Sequence, residues 1–169
     1  MTLQELAYKE DDLYSKVTGL NHQVHTDETD QKMQEIFGEY KKIHQTYADL
    51  SSEEIEALKR GLFIQWYALT EPNYLTGIKD LDRNAENRII QSLNELIAAG
   101  RIDSELIWML NYYSNWEWVF KKNNSFKSLD IAIVNEQNNQ LPDTIEKEEM
   151  KLRGQMGKYW NLLTRFSKA

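Results

Sequence analysis

Residues 50–72 read LSSEEIEALKRGLFIQWYALTEP, and this stretch decides the fold. Ile55, Leu58, Leu62, Trp66 and Leu69 recur at spacings of three and four, the period of one helix face. Phe63, Ile64 and Tyr67 fall off that face, so the segment GLFIQWYAL is apolar nearly all round. A helix of that kind is central and buried in a soluble protein. Ser51 and Glu54 have the spacing of a capping box, with Leu50 and Ile55 placed as a hydrophobic staple. Pro72 closes the segment, because the residue before a proline avoids helical geometry.

Helical spacing extends in both directions. Upstream, Leu3, Leu6, Leu13 and Val17 predict a helix over about 3–19. Met33, Ile36, Phe37, Tyr40, Ile43 and Tyr47 predict a second helix from Asp27 or Glu28 to Leu50. Downstream, NYLTGIKDLD (residues 73–82) reads as a connector anchored by Leu75 and Ile78. Asp82 and Asp103 are placed as N-caps, and Gly100 stands where a helix C-terminus favours glycine. The two helices they start are separated by about three residues, which predicts an antiparallel pair. The second is expected to run from Asp103 through NYYSNWEWVFKK (residues 111–122), placing Leu106, Met109, Leu110, Tyr113, Trp116 and Phe120 on one face. Residues 125–134, SFKSLDIAIV, suit a short helix or a strand. A last helix is expected from Asp143 or Thr144, using Leu152, Met156, Tyr159 or Trp160, Leu163 and Phe166. The expected fold is therefore all-α: a single-domain compact bundle of about five to seven helices over residues 1–169, built around 55–69 and 104–120.

Composition narrows function by exclusion. The 169-residue chain has no cysteine, so thiolate catalysis and Cys-based metal sites are absent. Residues 1–16, MTLQELAYKEDDLYSK, carry acids where a secretory signal needs bases, and no apolar run approaches a membrane span. These features predict a cytoplasmic protein and argue against membrane association. Net charge is −7, which disfavours direct nucleic-acid binding. Residues 1–56 hold 13 acids against 5 bases, net −8, whereas the last 20 residues hold five bases and no acid. Either the basic end packs near the acidic front, or the acidic front faces a basic partner.

Candidate sites are sparse. Glu117 projects into the apolar face of the expected 103–122 helix, and Trp118 points to its polar side near Ile107. Trp118 and Ile107 are candidate partner contacts, and Glu117 a weak catalytic candidate. The polar connector after the central helix adds Glu71 as a second weak catalytic candidate and Asn73 and Tyr74 as binding candidates. His22 and His25 lie close to Asp27, Glu28 and Asp30, a weak metal cluster that reads better as a solvated loop. RGQMGK (residues 153–158) lacks the full phosphate-loop pattern, and its glycines suit tight packing or a bend in the last helix. No cofactor motif is present, and no cofactor is expected. The expectation is a small acidic module that binds another protein, for example an inhibitor or immunity-type protein masking a basic partner. The alternative is a small helical enzyme or ligand-binding protein with a pocket near residues 70–80 and Glu117.

Overall fold

The structure is a computed structural model that describes residues 1–115 and 146–166. Those residues form eight helices: α1 (Leu3–Asn21), α2 (Asp27–Leu50), α3 (Ile55–Thr70), α4 (Asn73–Thr76), α5 (Arg83–Ala98), α6 (Ser104–Tyr113), α7 (Lys147–Met150) and α8 (Gly154–Phe166). No strand occurs among the described residues. The fold is all-α, as the periodicity implies.

The caps explain most boundaries. Thr2 and Glu5 form a reciprocal capping box at the start of α1, and Thr26 and Thr29 do the same at α2. Asp82 accepts the Ala85 N–H at 2.9 Å and Asp103 the Leu106 N–H at 2.8 Å, so both start their helices as expected. After α5, Gly100 adopts φ +63°, and the Arg101 N–H reaches the Leu96 carbonyl across the turn. That is a Schellman termination, for which glycine is the natural residue.

The Ser51–Glu54 pair behaves differently. Ser51 ends α2 instead of starting α3: its hydroxyl donates to the Ala48 carbonyl and meets the Ser92 hydroxyl at 2.9 Å. Glu54 is the N-cap of α3 and caps through no side-chain bond. Ser51 is buried against α5, and that tertiary contact outcompetes the local box.

Helix α3 is the hub. Residues 57–66 are buried without interruption, including Lys59, Arg60 and Gln65. Helices α1 and α2 form an antiparallel hairpin, since Tyr40 and Tyr47, late in α2, both reach Glu10 in the middle of α1. Helix α5 lies across α2 and α3. Gly61 makes the last approach possible, because a Cβ there would stand 2.5 Å from Ile89 Cδ1. Helices α5 and α6 are not among the helix pairs in closest backbone contact. The α6 side chains turn instead toward α3 and α8, where Trp66 stacks on Tyr113 at 4.8 Å and Trp108 meets Trp160 edge-on at 4.4 Å.

These rings join Phe63, Tyr67, Tyr112 and Tyr159 in one aromatic cluster. The richness of NYYSNWEWVFKK is thus core at its described end, as offset and edge-on packing of large rings requires. The helix stops at Tyr113, however. The Ser114 hydroxyl turns back to the Asn111 carbonyl, competing with helix continuation.

Two other expectations need correction. Leu75 is exposed, and Thr76 and Ile78 are the buried anchors of the connector. The C-terminal helix is interrupted at residues 151–153, with Leu152 exposed, before α8 restarts at Gly154 with φ +61°. A Cβ on Gly154 would strike the Glu10 carboxylate at 2.7 Å, and one on Gly157 would meet the Met150 carbonyl oxygen at 1.6 Å. The RGQMGK glycines serve close packing and a break in the helix.

Candidate functional site

Glu10 sits on the apolar stripe of α1, between Leu6 and Leu13, and is only 1% exposed. Its carboxylate accepts the Tyr47 hydroxyl at 2.5 Å and the Gln155 backbone N–H at 3.1 Å, in the first turn of α8. Burial pushes its pKa up to about 7, and these two donors only partly offset that. The Gln155 side chain donates to the Tyr40 hydroxyl and to the Thr76 carbonyl, and Tyr40 donates to the Glu10 carbonyl. Four side chains and the Thr76 carbonyl thereby tie α1, α2, α4 and α8 together.

A second set of buried charges adjoins it. Arg153, just before α8, forks onto Glu56 of α3 and Glu105 of α6. Arg60 also bonds Glu56 and donates to the Leu3 carbonyl. Lys59 bridges Glu105 and Asp103, each at 2.6 Å. Burial alone would raise the Glu56 pKa, but Arg153 and Arg60 outweigh it and hold the carboxyl below its ordinary value. Each charge here has an opposite partner, which is the condition for tolerating it in an interior.

These groups join the helices of the fold to one another. Glu10 lines neither described cleft. Gln155 does line one, a cleft of about 310 Å³ walled by Tyr14, Tyr67, Tyr159, Lys151 and Lys158. Its two lysines are already engaged: Lys158 with Asp11 at 2.8 Å and Lys151 with Glu148 at 2.7 Å. On α2, His44 is fully buried against Gln65, and burial drops its pKa to about 4, so it is neutral.

The other described cleft is a groove of about 460 Å³ between α1 and α2. Leu13, Leu20 and Ile36 floor it, with Gly19 on one wall and Gln23 at the end near the α1–α2 loop. Lys16 and Lys32 lie along it, held by Asp12 and Glu28 at 2.6 Å each. Glu35 and Glu39 complete the α2 wall. Residues 27–39 carry five acids, Asp27, Glu28, Asp30, Glu35 and Glu39, against the single base Lys32, net −4.

Some acids of the front half are paired with cations from later in the chain. Lys158 pairs with Asp11, Arg153 with Glu56 and Arg88 with Asp49, so cations from later in the chain come back to it. Glu10 is buried. The acidic and basic ends therefore do pack together, and the acidity left on the surface is densest along the first half of α2.

The sequence candidates that are described lie on α6, in the α1–α2 loop and around α4. Glu117 and Trp118 lie outside the described residues. Ile107 is half-buried on α6. Asn73 and Tyr74 are exposed on α4, where the Tyr74 carbonyl accepts the Asn21 amide at 2.8 Å. Glu71 is half-buried near Tyr67 and Tyr159, whose pKa values burial raises first and Glu71 raises further, Tyr67 to about 12. Neither described cleft is lined by residues 70–80. His22 and His25 are exposed; His25 meets Asp30 at 3.1 Å. No group of three His, Asp or Glu side chains able to hold a metal ion occurs among the described residues.

Sequence reasoning missed Glu10, although its signal was present. A carboxylate four residues after Leu6 and three before Leu13, on the Leu3, Leu6, Leu13, Val17 stripe, must face the core. Among the described residues no helix is long and apolar enough to cross a membrane. No family model matches the chain, and neither do the curated proteins or the solved structures.

Proposed function

We propose that this chain is a non-enzymatic protein-binding module that presents an acidic face to a basic partner. One concrete form is an inhibitor or immunity-type protein that masks the phosphate-binding surface of its target. The observation that carries the reading is the distribution of charge. Buried ionisable groups are committed to the joints between helices, whereas the net −4 of residues 27–39 is left on the surface. A field of one sign speeds encounter with an opposite partner and penalises wrong ones.

The test is affinity capture from the native cell, followed by binding measurements on the purified pair at several salt concentrations. The expected result is a stoichiometric basic protein whose affinity falls as salt rises. Recovery of a small molecule with no protein would contradict the reading and favour a ligand-binding protein. So would a partner whose affinity is indifferent to salt.

A further inference from the structure

Helix α8 begins without a cap of its own. Arg153 holds the N-cap position, since the Gly157 N–H bonds its carbonyl. An arginine side chain carries no acceptor for the exposed N–H groups of a first turn. Its guanidinium is in any case committed to Glu56 and Glu105. The acceptor comes instead from 145 residues away: the Gln155 N–H donates to the Glu10 carboxylate at 3.1 Å.

The same turn covers that carboxylate. A Cβ on Gly154 would stand 2.7 Å from the carboxyl carbon and one oxygen, and 2.8 Å from the other oxygen. The opposite wall is α2, where the fully buried Tyr47 donates its hydroxyl to Glu10 and Tyr40 bonds the Glu10 backbone carbonyl. Arg60 of α3, bonded to Glu56, favours the ionised carboxyl from farther off. Asp11, next in the chain and paired with Lys158 of α8, disfavours it. Helix α4 brings no charge, only the Thr76 carbonyl held by Gln155.

The two walls differ in freedom. Tyr40 and Tyr47 stand on a 24-residue helix packed along α1, α3 and α5. The Gly154–Gln155 turn follows a break at residues 151–153 and starts on a glycine at φ +61°. Water therefore reaches Glu10 at least cost from the α8 side, by the lifting of one turn. A charged carboxylate gains from that access and a protonated one does not, because burial is what penalises the charge.

We infer that Glu10 and the Gly154–Gln155 turn form a proton-controlled latch: the start of α8 is closed on α1 while Glu10 holds its proton, and loss of the proton favours its opening. Buried Met156 and Trp160 and the Arg153 fork oppose the opening, so the open form is a minority whose fraction the proton sets. The latch goes beyond the protein-binding reading and does not depend on it.

Native-state amide exchange of the full chain tests it, followed by NMR at pH 6 and pH 8, with each rate divided by the intrinsic rate at that pH. The reporters are the Lys158 and Tyr159 amides, whose helical acceptors are the Gly154 and Gln155 carbonyls. A carboxyl pKa of about 7 when closed and 4.5 when open raises the open fraction about tenfold over that range, so these amides should lose protection about tenfold. Amides of residues 62–66 in α3 wait for global unfolding, in which His44 also gains water and opposes the trend. They should lose only about two- to threefold. In Glu10→Gln the α8 amides should keep the same protection at both pH values. Equal changes in α8 and α3, or α8 protection unaltered by pH, would overturn the latch. So would an undiminished tenfold loss in Glu10→Gln. Should that variant fail to fold, the wild-type contrast between α8 and α3 decides alone.

Discussion

The Tyr47 hydroxyl donates a hydrogen bond to the Glu10 carboxylate at 2.5 Å, across the middle of the α1–α2 hairpin. Both groups are buried, and among the described residues no lysine or arginine is bonded to that carboxylate. Burial raises the Tyr47 pKa first and the neighbouring Glu10 charge raises it further, so the phenol keeps its proton while Glu10 carries the titration.

Glu10 should therefore make the fold weaken as the solution becomes less acidic. Its pKa is about 7 in the fold against 4.5 for the free side chain. Between those values the unfolded chain has released a proton that the folded chain keeps, so stability falls as pH rises. The contribution is fully present below 4.5 and lost as pH passes 7, a change of up to about 3 kcal/mol. Urea unfolding at pH 5 and pH 8 in a His44→Leu background, which lacks the opposing imidazole, should show it, and adding Glu10→Gln should flatten the difference. A wild-type and variant pair with parallel pH profiles would contradict this.

His44 should act in the opposite sense. Its pKa is about 4 in the fold against 6.5 for the free side chain, with burial the leading cause. Its contribution is present above 6.5 and lost as pH falls toward 4. His44→Leu should remove that acid sensitivity. Because the His44 and Glu10 windows overlap with opposite slopes, the wild-type profile near pH 5–6 should be flatter than that of either variant. Chemical denaturation of all three proteins across pH 4–8 checks the pattern.

The glycines should divide into two classes. Gly157→Ala forces a Cβ to 1.6 Å from the Met150 carbonyl and should cost about 2 kcal/mol or more, displacing α7 from α8. Gly19→Ala meets nothing and should stabilise by up to about 1 kcal/mol through helix propensity. Thermal melts of the two variants, moving in opposite directions, test both assignments. Equal shifts of the same sign would refute them.

Tyr113 stacks on Trp66, yet its hydroxyl is buried with no hydrogen-bond partner among the described residues. Tyr113→Phe keeps the ring and removes the orphan group, so it should raise stability by about 1 kcal/mol. A loss of stability in that variant would mean that the hydroxyl is held by a contact the fold does not disclose.

How much of this was legible beforehand follows from the range of each signal. Asp82 and Asp103 cap as expected because a cap is a contact within three residues. The apolar stripe of α2 was readable from spacing, and so was the all-round burial of residues 57–66. Ser51 misled because its local box lost to a contact 41 residues away, with Ser92. Leu152 misled because periodicity was carried through a break set by Gly154 and its contact with Glu10. The Glu56–Arg153–Glu105 cluster joins positions far apart in sequence, and no local pattern announces it. For the candidate site, the acidity of residues 27–39 was visible at once. That Lys158 and Arg153 would neutralise the neighbouring acids, and that a groove would open beside Gly19, required the packing of α8 and α2 against α1.

The most direct test of the central claim is the salt dependence of binding between this chain and the basic protein captured with it. The account predicts that affinity weakens steadily as salt is raised, and that Glu35→Lys with Glu39→Lys lowers both the affinity and its salt slope. Affinity unchanged by salt, with the doubly substituted protein binding as well as the wild type, would contradict it.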